Sequence, residues 1–468
     1  MGEAAAAVSG ESAGVRVLAV SRVTPSPPPP TPERVKLSLF DAPWVVLPPI
    51  QRVFLYETAS PAPSPPAFDV AVERLKRSLA ATLSLFLPLA GMLTYVADTG
   101  DVVVDCAGAG GVAFVEAEAA GFDAGPLAGD EAHDVAAFVA LVPELDARVL
   151  PAPVLAVQAT RLAGGIAVGV SVHHAVADGR AVWGFMEAWS TAAKVGTSPP
   201  VTKGIAAPHY GREAAIPHPA DGGERARQLL KLVAPNLPVA SGQHDFSQRF
   251  RLDRRTFHLD AASIHSLKRR INAAIAAESP KPKPKPVSTF VALAAISWTA
   301  FVRAKSLAAG EDTYLAFLAD MRTRLNPPVA DGYLGNCVKI ILAKCADAAD
   351  LAADAGERGI AAAAMAVQAA VAEMEAAAAA ATEGMDREAV ERMMRLPYHR
   401  LANVAASPRF MAYEAADFGW GSPARVELVS MNHDGEIVLV GGRRDGEVQL
   451  SVSIDPAQVD AFKAHLLG

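Results

Sequence analysis

His173-His174-Ala175-Val176-Ala177-Asp178-Gly179 is the stretch whose reading decides the fold. Just upstream, Leu155 to Ala163 and Gly165 to Val172 are apolar, β-like runs that meet at Gly164-Gly165, the pattern of a hairpin. Just downstream, Ala181 to Ala192 repeats apolar residues on a helical period. The segment therefore reads as strand, tight loop, helix. Side chains alternate along a strand, so one of His173 and His174 is expected to be buried and structural. His174 is the candidate general base. An ordinary imidazole titrates near neutrality, and its neutral form takes a proton from a hydroxyl that attacks an acyl carbon. Asp178, four residues on, folds back either to the His174 ring or to an arginine elsewhere. Gly179 adds backbone freedom at the turn. A metal site is not expected, because neighbouring strand residues point apart and no third ligand cluster stands nearby.

Working outward, Val15 to Val23 is a β-branched run, followed by the Pro-rich connector Pro25 to Pro32. Leu37 to Tyr56 mixes aromatics and prolines around Trp44 before a strand at Arg52 to Glu57, and Val70 to Phe86 has helical spacing. The segment 196–247 is rich in Pro, Gly and His and reads as a crossover between a first domain, 1–195, and a second, 248–468. The second half begins with a strand (Thr256 to Leu259) and a helix (Ala261 to Ala276). The basic loop Lys281 to Pro286 then leads into a helix, Phe290 to Ala304, capped at Ser288. It closes with strands at Val426 to Ser430, Glu436 to Leu439 and Glu447 to Ile454. Asn432 to Gly435 and Arg443 to Gly446 are read as hairpin turns between them.

At 468 residues the chain is too long for one ordinary core, which is why two domains are expected. A net charge of -7 and a pI near 5.9 give it no general attraction for phosphate backbones, so nucleic acid is not an expected partner. Its three cysteines, Cys106, Cys337 and Cys345, form no CxxC pair, which suits a reducing, cytoplasmic compartment. The opening MGEAAAAVSGESAGVRV has early glutamates and no long apolar core, unlike a secretory signal, and it lacks the myristoylation pattern. Gly359 to Gly384 is Ala-rich but interrupted by Gln368, Glu373 and Glu375, so it reads as a soluble helix, and no membrane association is expected.

A second element stands near the end of the chain, Asp417-Phe418-Gly419-Trp420-Gly421. Two glycines around a tryptophan mark a tight loop that sets a large ring against a packed surface. Its role is either architectural, with Asp417 capping the loop, or catalytic, with the Trp420 N–H donating to a developing oxyanion. With HxxxDG in mid-chain and DFGWG near the end, the sequence resembles the plant BAHD acyltransferases. Leu87-Pro-Leu-Ala-Gly91, Asp320-Met-Arg-Thr-Arg324 and Tyr333-Leu-Gly-Asn-Cys337 stand in the family's order over most of the chain.

That resemblance implies an α/β monomer of two chloramphenicol-acetyltransferase-like domains, mixed sheets flanked by helices, with a channel between them. Acyl-CoA enters as co-substrate from one face and a small-molecule acceptor from the other, and no bound cofactor is implied. His174 becomes the base, and Asp178 a structural partner that pairs with Arg322 or Arg324. Lys285 and the helix start at Ser288 and Thr289 become CoA contacts, where a helix N-terminus and nearby lysines favour phosphate. Tyr333 to Cys337 is similar to the YFGNC signature of the anthocyanin and phenolic-glucoside malonyltransferase branch, with Leu334 in place of Phe. A malonyl donor brings a carboxylate, and Arg180, right after the motif glycine, is the candidate cation for it. Hydroxycinnamoyl or other acyl transfer to a phenolic alcohol or amine stays open. So do a carrier-protein-dependent condensation domain, whose HHxxxDG is similar, and a non-catalytic binding protein that kept the fold.

Overall fold

A computed structural model describes residues 14–28, 34–58, 63–107, 110–129, 133–196, 207–212, 216, 223–240, 246–278, 285–352, 357–376 and 387–468. Lys281 and Lys283 lie outside the described residues. Among the described residues, strands β1 to β16, numbered along the chain, form three sheets.

The first sheet runs in the order β1 (Arg16–Val23), β6 (Val112–Asp123), β8 (Leu155–Ala163), β9 (Gly165–Val172), β3 (Ile50–Glu57) and β14 (Arg425–Leu428). β9 is buried along its whole length, as a central strand with no polar face should be. The β8–β9 hairpin turns at Gly164, whose φ of +67° is a left-handed value that a side chain would resist. A Cβ at Gly169 would collide with the Leu141 carbonyl, so β9 passes the 141–142 backbone more closely than any other residue type allows. The helices Phe68–Leu83 and Gly179–Val195 pack on each other, and Trp183 of the second meets Phe54 of β3 edge-on at 6.1 Å.

The second sheet runs β10 (Asp253–Leu259), β16 (Val448–Ile454), β15 (Glu436–Gly441), β13 (Leu401–Ala406), β11 (Thr313–Asp320) and β12 (Val338–Cys345). Both large sheets are mixed: the β6–β8 ladder of the first and the β15–β13 and β13–β11 ladders of the second are parallel, and the others are antiparallel. Thr289–Ala304, an almost wholly buried helix, packs against Glu357–Ala376 and Val459–Leu467. Glu357–Ala376 has the length and apolarity of a membrane span, and it lays Ile360, Ala364 and Val367 against neighbouring helices. A third, small sheet orders β2 (Arg34–Lys36), β5 (Asp101–Asp105), β4 (Met92–Val96) and β7 (Ala152–Pro153).

One reading of the late strands needs correction. Asn432 to Gly435 is no hairpin turn. β14 pairs with β3 in the first sheet, whereas β15 pairs with β13 and β16 in the second. The turn residues set the local chain reversal but not the partner strand. Arg443 to Gly446 does close an antiparallel pair, β15 with β16.

Candidate active site

The last strand residue of β9, Val172, delivers the two histidines. His173 is fully buried, donates its N–H to Val154 O at 2.8 Å, and accepts from Ala175 N on its Nδ1 at 3.2 Å. Burial holds its pKa down to about 3, so the ring is a neutral piece of the turn. His174 remains partly accessible. Its ring stacks on Trp44 with centroids 4.3 Å apart and planes 9° from parallel. Its Nδ1 is buried without a hydrogen-bond partner. Burial is the main force that lowers its pKa to about 4; the Asp178 charge opposes that shift and the Arg52 charge adds to it. The imidazole is therefore neutral at neutral pH and able to accept a proton.

Asp178 does not bond to this ring. It is buried at the N-cap of Gly179–Val195, where its Oδ1 accepts from Ala181 N at 3.0 Å. The same carboxylate receives Arg322 Nη1 at 2.9 Å and Nη2 at 3.1 Å, and Cys337 N at 3.0 Å. Of the two candidate arginines Arg322 is thus the partner; Arg324 reaches the Asp320 carbonyl at 2.6 Å instead. Arg322 also donates to Tyr333 O and Gly335 O, which ties the 333–337 segment to the histidine loop.

A second buried ion pair, which sequence reasoning missed, holds the loop from the other side. Asp41 accepts from Arg212 Nε at 2.7 Å, from Ser38 Oγ at 2.6 Å, and from Asn336 N and Nδ2 at 2.9 and 3.0 Å. Asn336 Nδ2 also donates to His174 O at 2.9 Å, and Arg212 Nη2 donates to Val176 O at 3.0 Å. Two carbonyls of the loop are therefore gripped by side chains anchored on one carboxylate. Asp41 also opens the turn Ala42–Val46 that presents Trp44 to His174. The aromatic-rich segment around Trp44 was the available signal for a pocket wall, but nothing local marked Asp41 or Arg212.

Two sequence assignments, Arg180 and Trp420, have partners of their own in the structure. The Arg180 guanidinium is shared by Asp320 at 2.8 Å and Asp331 at 2.9 Å, in half-exposed ion pairs that compete with a donor carboxylate for it. Trp420 is remote from the base. Asp417 pairs with Lys194 at 2.7 Å, and Lys194 lies sixteen residues beyond Asp178, about 24 Å along the helix axis. In that loop Asp417 caps Gly419 N at 2.9 Å, Gly419 and Gly421 take φ of +90° and +85°, and Phe418 meets Trp189 edge-on at 4.8 Å. Trp420 meets Tyr56 at 5.2 Å, with its indole nitrogen enclosed and unpartnered. The contacts of this loop are packing contacts, made toward the end of the helix opposite Asp178. Gly179 sits under Phe410, which a Cβ would meet at 3.4 Å.

Ser288 caps Thr289–Ala304 through Oγ, accepting from Val291 N at 3.2 Å. Lys285 is exposed beside that cap, and its carbonyl accepts from Gln368. The hydrogen bonds at Lys285 and Ser288 go to Gln368 and Val291, not to the His174 loop. No group of three His, Cys, Asp or Glu among the described residues is placed to hold a metal.

A family model described as the transferase family matches residues 13–466. Over 96% of its length the chain is 28% identical to a malonyl-CoA:anthocyanidin 5-O-glucoside-6''-O-malonyltransferase of Arabidopsis thaliana, covering 97% of that protein. It is 27% identical to phenolic glucoside malonyltransferase 2 of the same plant, with 92% of each chain covered. The crystal structure of vinorine synthase superposes with a TM-score of 0.71 at 20% identity, over 97% of this chain and 98% of that one.

Proposed function

We propose, on the premise that this chain belongs to the transferase family of BAHD acyltransferases, that it moves a malonyl group from malonyl-CoA to a sugar hydroxyl of a phenolic or flavonoid glucoside. The chain is a CoA-dependent acyltransferase, and its co-substrate is a CoA thioester. The malonyl donor and the glucoside acceptor are inferred from the malonyltransferases that resemble it over nearly their whole lengths.

In the mechanism, donor and acceptor are bound together. The acceptor hydroxyl attacks the thioester carbonyl carbon while His174 takes its proton. Nε2 is the accepting nitrogen in this reading, because Nδ1 is enclosed. The tetrahedral intermediate collapses, the C–S bond breaks, and the imidazolium returns its proton to the departing thiolate. No serine nucleophile is required, and most of the acceleration comes from orientation and a correctly placed base. Trp44 lies flat against the ring and favours the transient imidazolium through its π face. Lys285, Ser288 and Thr289 are the proposed contacts for the CoA phosphates. The enzyme is taken to work as a cytoplasmic monomer, in keeping with its acidic charge and few cysteines.

One observation supports this most strongly: a neutral, partly open imidazole at the end of a strand, in a loop whose carbonyls are held by Asn336 and Arg212. A panel of acyl-CoAs crossed with phenolic and flavonoid glucosides, read by product mass, tests it. The expected result is a mass gain matching malonyl, reduced by about 100-fold or more in His174→Ala. Failure to consume any acyl-CoA with any acceptor would refute the reading.

A further inference from the structure

Five arginines are buried among the described residues: Arg52, Arg212, Arg254, Arg322 and Arg425. Four of them have a carboxylate at hand. Arg212 meets Asp41 at 2.7 Å, Arg254 meets Glu427 at 3.0 Å, Arg322 meets Asp178 at 2.9 Å, and Arg425 meets Glu427 at 3.0 Å. That is the ordinary rule for a charge taken out of water. Arg52 breaks it. It is only 8% exposed, yet no carboxylate oxygen among the described residues lies within 4.0 Å of its guanidinium. Its hydrogen bonds go to neutral oxygens, Gln51 O at 2.8 Å and Ser430 Oγ at 3.5 Å, and its Nε is enclosed without a partner.

The position of this cation matters. β3 and β9 are antiparallel neighbours, with Ile50 opposite Val172 and Arg52 opposite Val170. The Arg52 side chain is drawn toward Gln51 and Ser430, hence toward the end of β3 that lies beside Val172 and the histidine loop. Its charge is felt at the His174 ring, where it opposes protonation. Burial lowers the Arg52 pKa to about 10, so it stays positive at neutral pH, and Glu436 and Glu427 favour its charge from beyond ion-pair distance. Arg180, the cation that sequence position suggests, is shared by Asp320 and Asp331.

We propose that Arg52 binds the free carboxylate of the acyl group on the CoA thioester, as the residue that selects a dicarboxylic acyl donor over a neutral one. The inference rests on the acyltransferase reading above and narrows it to a donor-selecting residue. A guanidinium offers two parallel N–H donors to a carboxylate, and in a dry setting such a pair contributes strongly to discrimination. The acyl carboxylate is then the counter-ion that the protein does not itself supply.

The test compares malonyl-CoA with acetyl-CoA, at one glucoside acceptor, for the full chain and its Arg52→Gln and Arg52→Lys variants. The expected result is a fall of about 10- to 100-fold in the malonyl-to-acetyl ratio of kcat/KM for Arg52→Gln, the scale of one charged hydrogen-bonded pair. Arg52→Lys keeps the charge and loses the fork, so its ratio falls less, by about 5-fold. It also serves where Arg52→Gln fails to fold. A wild type that favours malonyl, with the ratio unchanged in either folded variant, overturns the role of Arg52 alone. A wild type that uses acetyl-CoA but not malonyl-CoA overturns the malonyl reading together with it.

Discussion

Replacing Asp178 by alanine separates a scaffold from a proton relay. The carboxylate receives four hydrogen bonds, two from Arg322 and one each from Ala181 N and Cys337 N. Removing it leaves the Arg322 guanidinium, buried at 0% side-chain exposure, with Asp320 as its remaining carboxylate at 3.2 Å. Breaking one side of a buried ion pair costs about 3–5 kcal/mol, and loss of the helix cap contributes about 1 kcal/mol within that range. An expected loss of about 4 kcal/mol is a large share of the stability of a typical domain. Urea denaturation followed by tryptophan fluorescence measures it. A double-mutant cycle with Arg322→Ala should return a coupling of about 2–3 kcal/mol, since each single change strands the same partner.

Activity falls as well, but indirectly. Arg322 and Asp178 hold the 333–337 segment, and Asn336 from that segment holds the His174 carbonyl. In Asp178→Asn, which keeps one acceptor oxygen, kcat should drop while the acid limb of the pH profile does not rise. The Asp178 charge favours protonated His174, so its removal shifts that limb down if at all. Unchanged stability with lost kcat and an upward shift of the acid limb would refute the scaffold argument and make Asp178 part of the proton path.

Three further outcomes follow from the same geometry. Because burial lowers the His174 pKa to about 4, kcat/KM should stay flat on acidification through 6.5 and fall only well below it; a limb centred at 6.5 or higher refutes this. His173 titrates at about 3 when folded and near 6.5 when unfolded, so its contribution is full above 6.5 and is lost as pH falls toward 3. At pH 5 the loss is about 2 kcal/mol, and His173→Asn should flatten that part of the urea-stability profile. Arg180→Gln should leave the malonyl-to-acetyl ratio within about 2-fold and cost under about 1 kcal/mol, because its ion pairs are half-exposed.

The elements legible in the sequence were those whose signal is local. The hairpin at Gly164-Gly165, the cap at Ser288 and the helix after Asp178 each rest on residues within one turn of one another, and each forms as expected. The HxxxDG loop was legible for the same reason. The partners of that loop were not. Asp41 meets Arg212 across 171 positions and Asn336 across 295, and no periodicity links residues so far apart. Arg322 and Arg324 differ by two positions and look alike in sequence; only the packing of the 333–337 segment distinguishes them. Asn432 to Gly435 has good turn chemistry, but turn chemistry does not report which sheet the next strand will join.

The route of the late chain explains why the base is held from so many sides. β14 leaves the second half to extend the first sheet beside β3, and Ser430, just past it, receives Gln51 N at 3.2 Å. The 333–337 segment delivers Cys337 N to Asp178 and Asn336 to both Asp41 and His174 O. The histidine loop is thus braced by chain from both halves, and its geometry depends on their contact. Such bracing uses buried charges that contribute little net stability, since their desolvation offsets most of their attraction. What they add is position. A base that must meet a proton within hydrogen-bond distance loses rate steeply when displaced by an ångström, so a loop with two carbonyls fixed by side chains is better prepared than one held by packing alone. On this argument Asn336→Ala should lower kcat far more than the KM for acyl-CoA. Loss of both in proportion would place Asn336 in donor binding instead.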